Sequence, residues 1–279
     1  MPFIQTRSGT SIFYRDWGTG RPVLFCSAWG MESTEPWGVM AELVGHGFRA
    51  ISVDRRGHGR SDDPGHGYDY DTLADDLGDL IEQLDLCEVT LVGHSLGGGE
   101  IARYLTRHGS GRVARIVFVA AALPFLLATP DNPQGVPGEL AEQVRQSWKH
   151  HLDTWLTENG PAYVGDGLRG CAVPNMARDR VLASIYGTSR LAAIECNRSV
   201  VTTDFRAELP KITVPTLIIH GDSDASIPIE LGGYRQAELI PGSELHVYEN
   251  GPHGLYLTHP ERLVADLLAF LGAAVPASA

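Results

Sequence analysis

The chain has 279 residues, of which 43% are hydrophobic and 20% charged, the usage of an ordinary soluble globular protein. Its 22 basic and 34 acidic side chains give a net charge of −12 and no basic face of the kind that binds nucleic acid. The four widely spaced cysteines, and the lack of a long apolar run or a signal pattern, predict a cytoplasmic protein with free thiols and no membrane partner.

The first predicted elements are two short strands, at 3–6 and 11–16, whose alternating pattern and Ser-Gly-Thr turn indicate a hairpin. Six further short runs are mostly apolar on both faces, which is typical of strands buried in a parallel sheet. Helical patterns alternate with these runs, as at 71–84, 96–107 and 259–271. The alternation predicts an α/β fold with a mostly parallel sheet of about eight strands. The six runs are at 23–25, 50–53, 89–92, 116–120, 217–219 and 245–248.

The region between the fourth and fifth of those runs breaks the alternation, because it contains no convincing core strand. Residues 125–137 are rich in Pro, Asn and Gly and predict a linker, and 138–159 has a helical pattern. We therefore expect residues 125–208 to form an inserted helical cap. The core is then discontinuous, with residues 1–124 and 209–279. The alternative is that these helices simply extend the core.

A stripe of apolar residues on the predicted cap helix includes Trp148 and Trp155. Such a stripe on the inner face of a cap suits either packing or the wall of a substrate pocket. Trp148, Trp155 and Phe125, which follows the fourth of the six runs, are our candidate pocket residues.

The most informative stretch is Gly-His-Ser-Leu-Gly at 93–97, which follows an apolar strand pattern and precedes a helical one. A strand, a sharp turn and a helix in this order form a nucleophile elbow, with Ser95 at the turn. Gly93 and Gly97 leave room for the crowded backbone. The positive end of the following helix suits a developing oxyanion. The alternative is a glycine-rich turn in which the serine has no role.

A serine hydroxyl is a poor nucleophile without a base, and two late strands end in suitable residues. One is followed by Asp222 and Asp224, and the other by His253 in a Gly-Pro-His-Gly turn. The order Ser95, acid, His253 is the order expected for this elbow. Asp224 is favoured over Asp222, because an Asp directly after a strand often caps a turn. His220, at the end of the earlier strand, is expected to bond a neighbouring loop.

Five stretches of the sequence are typical of one protein family. They are DRRGHGRS at 54–61, GHSLGGGE at 93–100, VPT at 214–216, the loop at 220–224 and GPHGL at 251–255. They resemble the α/β-hydrolase family, and within it the branch of cofactor-free haloperoxidases and esterases, over almost the whole chain. The resemblance implies the α/β-hydrolase fold and a triad of Ser95, Asp224 and His253. It also implies hydrolysis of a small carboxylic ester or lactone with no metal and no cofactor.

The loop after the third strand departs from the pattern of this branch. Ser27 and Ala28 stand where the branch usually has His-Gly, and Gly30 stands where a proline is common. The resemblance nevertheless implies that the backbone N–H groups of Trp29 and Leu96 form the oxyanion hole.

Three alternatives to an esterase or lactonase stay open. The first is a cofactor-free perhydrolase, which uses the same triad to form a peracid and for this reason is named a haloperoxidase. The second is a carbon–carbon bond hydrolase or lyase on the same triad. The third is a catalytically weak binding protein for small molecules, which the change at Ser27 and Ala28 would suit. A pattern of His58 and Asp62 mimics an acyltransferase motif, and we interpret it as a structural turn. A homo-oligomer is compatible with the sequence, and a dimer is the commonest default.

Overall fold

A sheet of eight strands runs through the part of the chain that the computed structural model describes, residues 2–272. The strands are β1 (Phe3–Gln5), β2 (Ser11–Trp17), β3 (Pro22–Cys26), β4 (Arg49–Val53), β5 (Val89–His94), β6 (Val113–Val119), β7 (Thr216–Gly221) and β8 (Glu244–Tyr248). Their order across the sheet is β1-β2-β4-β3-β5-β6-β7-β8. β2 pairs antiparallel with β1 and β4, and all other neighbours are parallel. The predicted hairpin and mostly parallel sheet are therefore confirmed.

Nine α-helices accompany the strands within residues 2–272. Local chemistry fixes several of their starts. The Asp69 side chain accepts a hydrogen bond from the Thr72 N–H at the start of the second helix, and Pro260 opens the ninth, where no N–H donor is needed. None of the nine is long and apolar enough to cross a bilayer. They are α1 (Trp37–Gly45), α2 (Tyr70–Gln83), α3 (Leu96–His108), α4 (Gly138–Tyr163), α5 (Asn175–Gly187), α6 (Arg190–Thr202), α7 (Gly233–Leu239), α8 (Leu255–Thr258) and α9 (Pro260–Phe270).

The sheet is buried on both faces, which explains why its central strands are apolar at successive positions. On one face, Leu24 and Leu91 belong to a buried cluster with residues of α2 and α3. On the other face, Phe25 and Val92 belong to a cluster with residues of α1 and α9. The loops at the carboxyl ends of β3, β5, β7 and β8 are therefore anchored on a rigid support.

The segment between β6 and β7 contains α4, α5 and α6 and, like the sequence pattern, no further strand of the sheet. A third buried cluster joins Trp148 and Leu152 of α4 and Ile185 of α5 to Ala28 and Met31, in the loop after β3. The inserted helices thus pack on one of the loops at the carboxyl edge. The limits of the cap at 125 and 208 stay a prediction.

Candidate active site

Ser95, the predicted nucleophile, is the residue between β5 and α3. Its φ of 52° and ψ of −113° lie in a region that residues other than glycine rarely adopt. A Cβ on Gly93 would lie 2.6 Å from the carbonyl carbon of Gly97, and one on Gly97 would lie 2.1 Å from the carbonyl oxygen of Cys26. Only glycine fits at either position, so packing holds the turn that presents Ser95 at the sheet edge.

Asp224 and His253, from the loops after β7 and β8, are in direct contact. Asp224 Oδ2 lies 2.7 Å from His253 Nδ1, and Oδ1 accepts the N–H groups of Ser226 and Ile227 at 2.8 Å each. Burial would raise the pKa of Asp224, but the charge of His253 and the hydrogen bonds from His220 and His253 hold it well below its usual value. Because a carboxylate only accepts, His253 Nδ1 is the donor in this contact, and Nε2 is left for another partner.

The two candidate acids have different surroundings. Asp224 is 5% exposed, whereas Asp222 faces solvent and accepts a hydrogen bond from the Ser223 hydroxyl at 3.0 Å. His220 is buried, with Nε2 2.8 Å from the Ile227 carbonyl oxygen and 3.4 Å from Asp224 Oδ2. It therefore bonds a neighbouring loop, as expected, and also supports the Asp224 carboxylate.

His94, which precedes Ser95 in the chain, is in contact with His253. The rings of His94 and His253 lie with their centroids 5.0 Å apart, and His94 Nε2 is 3.0 Å from the His253 carbonyl oxygen. Ser95 and His253 are 6% and 4% exposed. No hydrogen bond within the described residues joins Ser95 Oγ to His253. Such bonds are often long in a free enzyme and tighten when the substrate binds.

The N–H groups of Trp29 and Leu96 have no hydrogen-bond partner within residues 2–272. The flanking N–H groups in the loop are used: Ala28 donates to Glu35 Oε2 at 3.0 Å, and Gly30 donates to His58 Nε2 at 3.3 Å. Leu96 is the first residue of α3, where the positive helix end favours an anion. The two predicted oxyanion donors are therefore free to bind a ligand.

A buried ion pair holds the loop in which Ser27 and Ala28 replace His-Gly. Arg55 Nε lies 2.7 Å from Glu100 Oε1, and Arg55 also donates to the carbonyl oxygens of Ala28, at 2.9 Å, and of Ser27. Burial opposes the charge, but Glu100 raises the pKa of Arg55 above its usual value. The guanidinium thus fixes two consecutive carbonyl groups, and the second of them, that of Ala28, belongs to the peptide group that carries the Trp29 N–H.

The motif of His58 and Asp62 has a structural role, as interpreted. His58 is 1% exposed, and its Nδ1 lies 3.0 Å from the Arg56 carbonyl oxygen. Burial and the nearby charge of Arg55 lower the pKa of His58 to about 3. Asp62 instead accepts the Ser11 N–H at 2.9 Å. His58 is therefore neutral and accepts the Gly30 N–H within the loop.

The three candidate pocket residues are not together. Trp148 and Trp155 pack on Trp29, with ring centroids 4.7 and 6.1 Å from it. Trp148 Nε1 is buried without a hydrogen-bond partner in the described chain. Phe125 is 5% exposed and lies apart from this cluster, under the guanidinium of Arg206 at 4.9 Å.

Glu35 is the residue near the site that the sequence did not indicate. It contacts Ala28, His94 and the Tyr163 hydroxyl, but it stands in a polar segment of loop character with no motif around it. Arg55 and Glu100 lie within quoted motifs, but nothing in the sequence indicated that they pair. Among residues 2–272, no group of three or more His, Cys, Asp or Glu side chains is arranged to hold a metal ion.

Comparison with known proteins shows the family of the chain. A sequence profile described as "Alpha/beta hydrolase family" matches residues 20–267. A non-heme chloroperoxidase of Kitasatospora aureofaciens is 39% identical, over 97% of this chain and 99% of the relative. A bifunctional esterase/perhydrolase of Acinetobacter calcoaceticus is 34% identical, over 97% and 99%. The structure of an esterase from Exiguobacterium antarcticum superposes with a TM-score of 0.92 at 32% identity, over 97% and 99%. The chain belongs to the α/β-hydrolase family.

Proposed function

We propose that this protein is a serine hydrolase that cleaves a small carboxylic ester or lactone through an acyl-enzyme. The observation that supports it most is the 2.7 Å contact of Asp224 with His253, at the edge where Ser95 occupies a strained elbow. A hydroxyl, a carboxylate and an imidazole, in this chain order, form the triad of α/β-hydrolases. Such a triad cleaves esters, and two of the similar proteins are named as esterases.

In the first half of the reaction, Ser95 Oγ attacks the carbonyl carbon while His253 Nε2 takes its proton. Asp224 keeps the Nδ1 proton of His253 in place and stabilises the imidazolium that forms. The free N–H groups of Trp29 and Leu96 donate to the oxyanion. The bond to the leaving oxygen then breaks, and His253 gives the proton to that oxygen. With a lactone, the released alcohol stays attached to the acyl group.

In the second half, a water molecule attacks the acyl-enzyme and gives a proton to His253. The bond from the carbonyl carbon to Ser95 Oγ breaks, and His253 returns the proton to the serine. The carboxylic acid leaves and the enzyme is restored. No step in this sequence requires a group beyond the side chains and peptide N–H groups named above.

We further propose that residues 125–208 act as a cap over a core of residues 1–124 and 209–279. Packing of Trp148 and Trp155 on the side chain of Trp29 supports this, because Trp29 also supplies a proposed oxyanion donor. The two tryptophans would then limit the size of the acyl group. Phe125 stays a predicted pocket residue, apart from the two tryptophans.

Covalent labelling tests the proposed function. A fluorophosphonate should add to the wild type at Ser95, as read by peptide mass spectrometry, and should not add to Ser95→Ala. The matched control is Ser52→Ala, which removes the hydroxyl of another buried serine, on β4. It should be labelled like the wild type. An adduct in Ser95→Ala, or none in the wild type, would overturn the assignment.

A second candidate function is perhydrolysis, which the names of the chloroperoxidase and esterase/perhydrolase relatives favour. Hydrogen peroxide would replace water in the second half of the reaction, so that a peracid leaves instead of an acid. With acetate, bromide and peroxide, the enzyme should then brominate a phenolic dye in a Ser95-dependent way. Preference for a β-diketone over every ester would instead indicate a carbon–carbon hydrolase. Tight ligand binding with negligible turnover would indicate a binding protein.

A further inference from the structure

A second buried acid–imidazole pair, Glu35 and His94, lies directly beside the proposed triad. Glu35 Oε1 is 2.8 Å from His94 Nδ1, and the two side chains are 4% and 1% exposed. The mechanism above uses neither of them. A buried ion pair is weak support for stability by itself, because desolvation of both charges offsets much of the attraction. The contacts of this pair are therefore more informative than its presence.

The pair contacts both the loop of the proposed oxyanion donor Trp29 and the loop of the proposed base His253. Glu35 Oε2 accepts the N–H of Ala28, the residue before the proposed oxyanion donor Trp29, at 3.0 Å. At the other end, His94 Nε2 donates to the carbonyl oxygen of His253 at 3.0 Å. One continuous chain of hydrogen bonds thus joins the backbone of the oxyanion loop to the backbone of the proposed base.

The charge state of the pair agrees with this arrangement. Burial would lower the pKa of His94, but the charge and hydrogen bond of Glu35 raise it above its usual value. Burial would likewise raise the pKa of Glu35, but His94 lowers it. An imidazolium donates from both nitrogens, and His94 has one acceptor at each.

Other titratable groups face the pair from the neighbouring elements. The Tyr163 hydroxyl at the end of α4 donates to Glu35 Oε1 at 3.3 Å, and the ring of Tyr256 in α8 lies 5.3 Å from that of His94. His253 and Asp224 face His94, and the charge of Arg55 acts on Glu35. Both oxygens of Glu35 and both nitrogens of His94 are therefore engaged, which fixes the geometry of the pair.

We propose that Glu35 and His94 are positioning residues for the hydrolysis proposed above, on which this inference rests. They hold the main chain of His253 and the peptide before Trp29 at a fixed separation across the site. The base and the oxyanion hole can then both contact the same substrate carbonyl group without any movement of the two loops. A misplacement of about 1 Å in such a site can lower the rate about 10²-fold.

A set of three variants separates positioning from stability. His94→Phe leaves Glu35 buried without its counter-charge, so both the melting temperature and kcat should fall. The double variant Glu35→Gln/His94→Phe removes the unpaired charge, so the melting temperature should recover in large part. Because nothing then holds the His253 carbonyl, kcat should stay about 10–100-fold below wild type at a KM within about twofold. Glu35→Gln alone keeps an amide that bonds both Ala28 and His94, and it should turn over within about threefold of wild type.

The control is Asp75→Asn, which alters another histidine–carboxylate pair, that of Asp75 with His108 at the far end of α3. This pair is about 20 Å along the helix from Ser95 and should not affect kcat. Recovery of wild-type kcat together with stability in the double variant would overturn the inference. So would Glu35→Leu with wild-type turnover, since it removes both acceptors. Phosphonate labelling of the wild type in the same series tests the hydrolase itself, and an unlabelled wild type overturns both proposals.

Discussion

The two halves of the site are built in different ways. Ser95 follows β5 directly, Asp224 and His253 lie in the short loops after β7 and β8, and short local motifs surround all three. The loop with Trp29 has no such motif, and side chains far away in the sequence, Arg55 and Glu35, fix its backbone. The first half is therefore encoded locally, whereas the second depends on tertiary contacts between buried charges.

This difference explains how the loop can be held in place with Ser27 and Ala28 where the resemblance leads us to expect His-Gly. Arg55 binds the carbonyl groups of Ser27 and Ala28, and Glu35 binds the N–H of Ala28, so the peptide before Trp29 is held from both sides. The replaced residues contribute their backbone to these bonds, which does not require a particular side chain. The side chains of Ser27 and Ala28 are thus compatible with the proposed oxyanion hole.

The largest expected effect is on the locally encoded half. Asp224→Asn should lower kcat about 10⁴-fold, because an amide no longer holds the productive tautomer of His253. Steady-state kinetics with a p-nitrophenyl ester measure this loss. The matched control is Asp222→Asn, two residues away and exposed to solvent, which should behave like the wild type. Equal losses in the two variants would contradict the choice of acid.

The next prediction concerns the loop with Trp29, which tertiary contacts hold in place. Arg55→Met leaves Glu100 buried and unpaired, which should lower the free energy of unfolding by about 3–5 kcal/mol. It also frees two carbonyl groups of the loop, so kcat should fall about 10²–10³-fold as an oxyanion donor moves. Chemical denaturation and kinetics give the two values. Arg112→Met, which removes an arginine from an exposed pair with Asp85, is the control and should change neither. Wild-type kcat in Arg55→Met would show that the loop does not need this anchor.

A third prediction concerns the proposed substrate pocket, where the inserted helices pack on the loop with Trp29. Trp155→Ala should enlarge the proposed pocket and raise kcat/KM for an octanoate ester, relative to acetate, about tenfold. The ratio for a series of p-nitrophenyl esters measures this change. Trp37→Ala, at an indole that is 40% exposed on α1, should leave the ratio unchanged. An unchanged ratio in Trp155→Ala as well would place the pocket elsewhere.

The sequence predicted the sheet, its hairpin and the elbow closely, because each depends on a local pattern. The run 89–92 and the helix from 96 correspond to β5 and α3, which begin at Val89 and Leu96. The buried pairs of Arg55 with Glu100 and of Glu35 with His94 were not predicted. Their partners are 45 and 59 residues apart, and no periodicity relates them. The same limit applies to Phe125, because a position after a strand does not say which neighbour covers its ring.

The smallest expected effect is a pH dependence of the stability that Glu35 and His94 contribute. His94 has a raised pKa, so its stabilising contribution is present below its unfolded value of 6.5 and is lost as the pH rises through the folded value. Glu35 has a lowered pKa, so its contribution is present above 4.5 and is lost as the pH falls. The difference in unfolding free energy between wild type and Glu35→Gln/His94→Phe should therefore be largest between these two pH values. Urea denaturation across the range measures it, and a difference independent of pH would contradict the charged state of the pair.

The most direct test of the central claim is turnover of p-nitrophenyl acetate, butyrate and octanoate by wild type and Ser95→Ala, side by side. The account predicts rapid release of p-nitrophenol by the wild type with at least one ester, and none above background by Ser95→Ala, which should fold normally. Equal turnover by the two proteins would contradict a nucleophilic role for Ser95. It would also remove the basis for the roles proposed for His253 and the oxyanion loop.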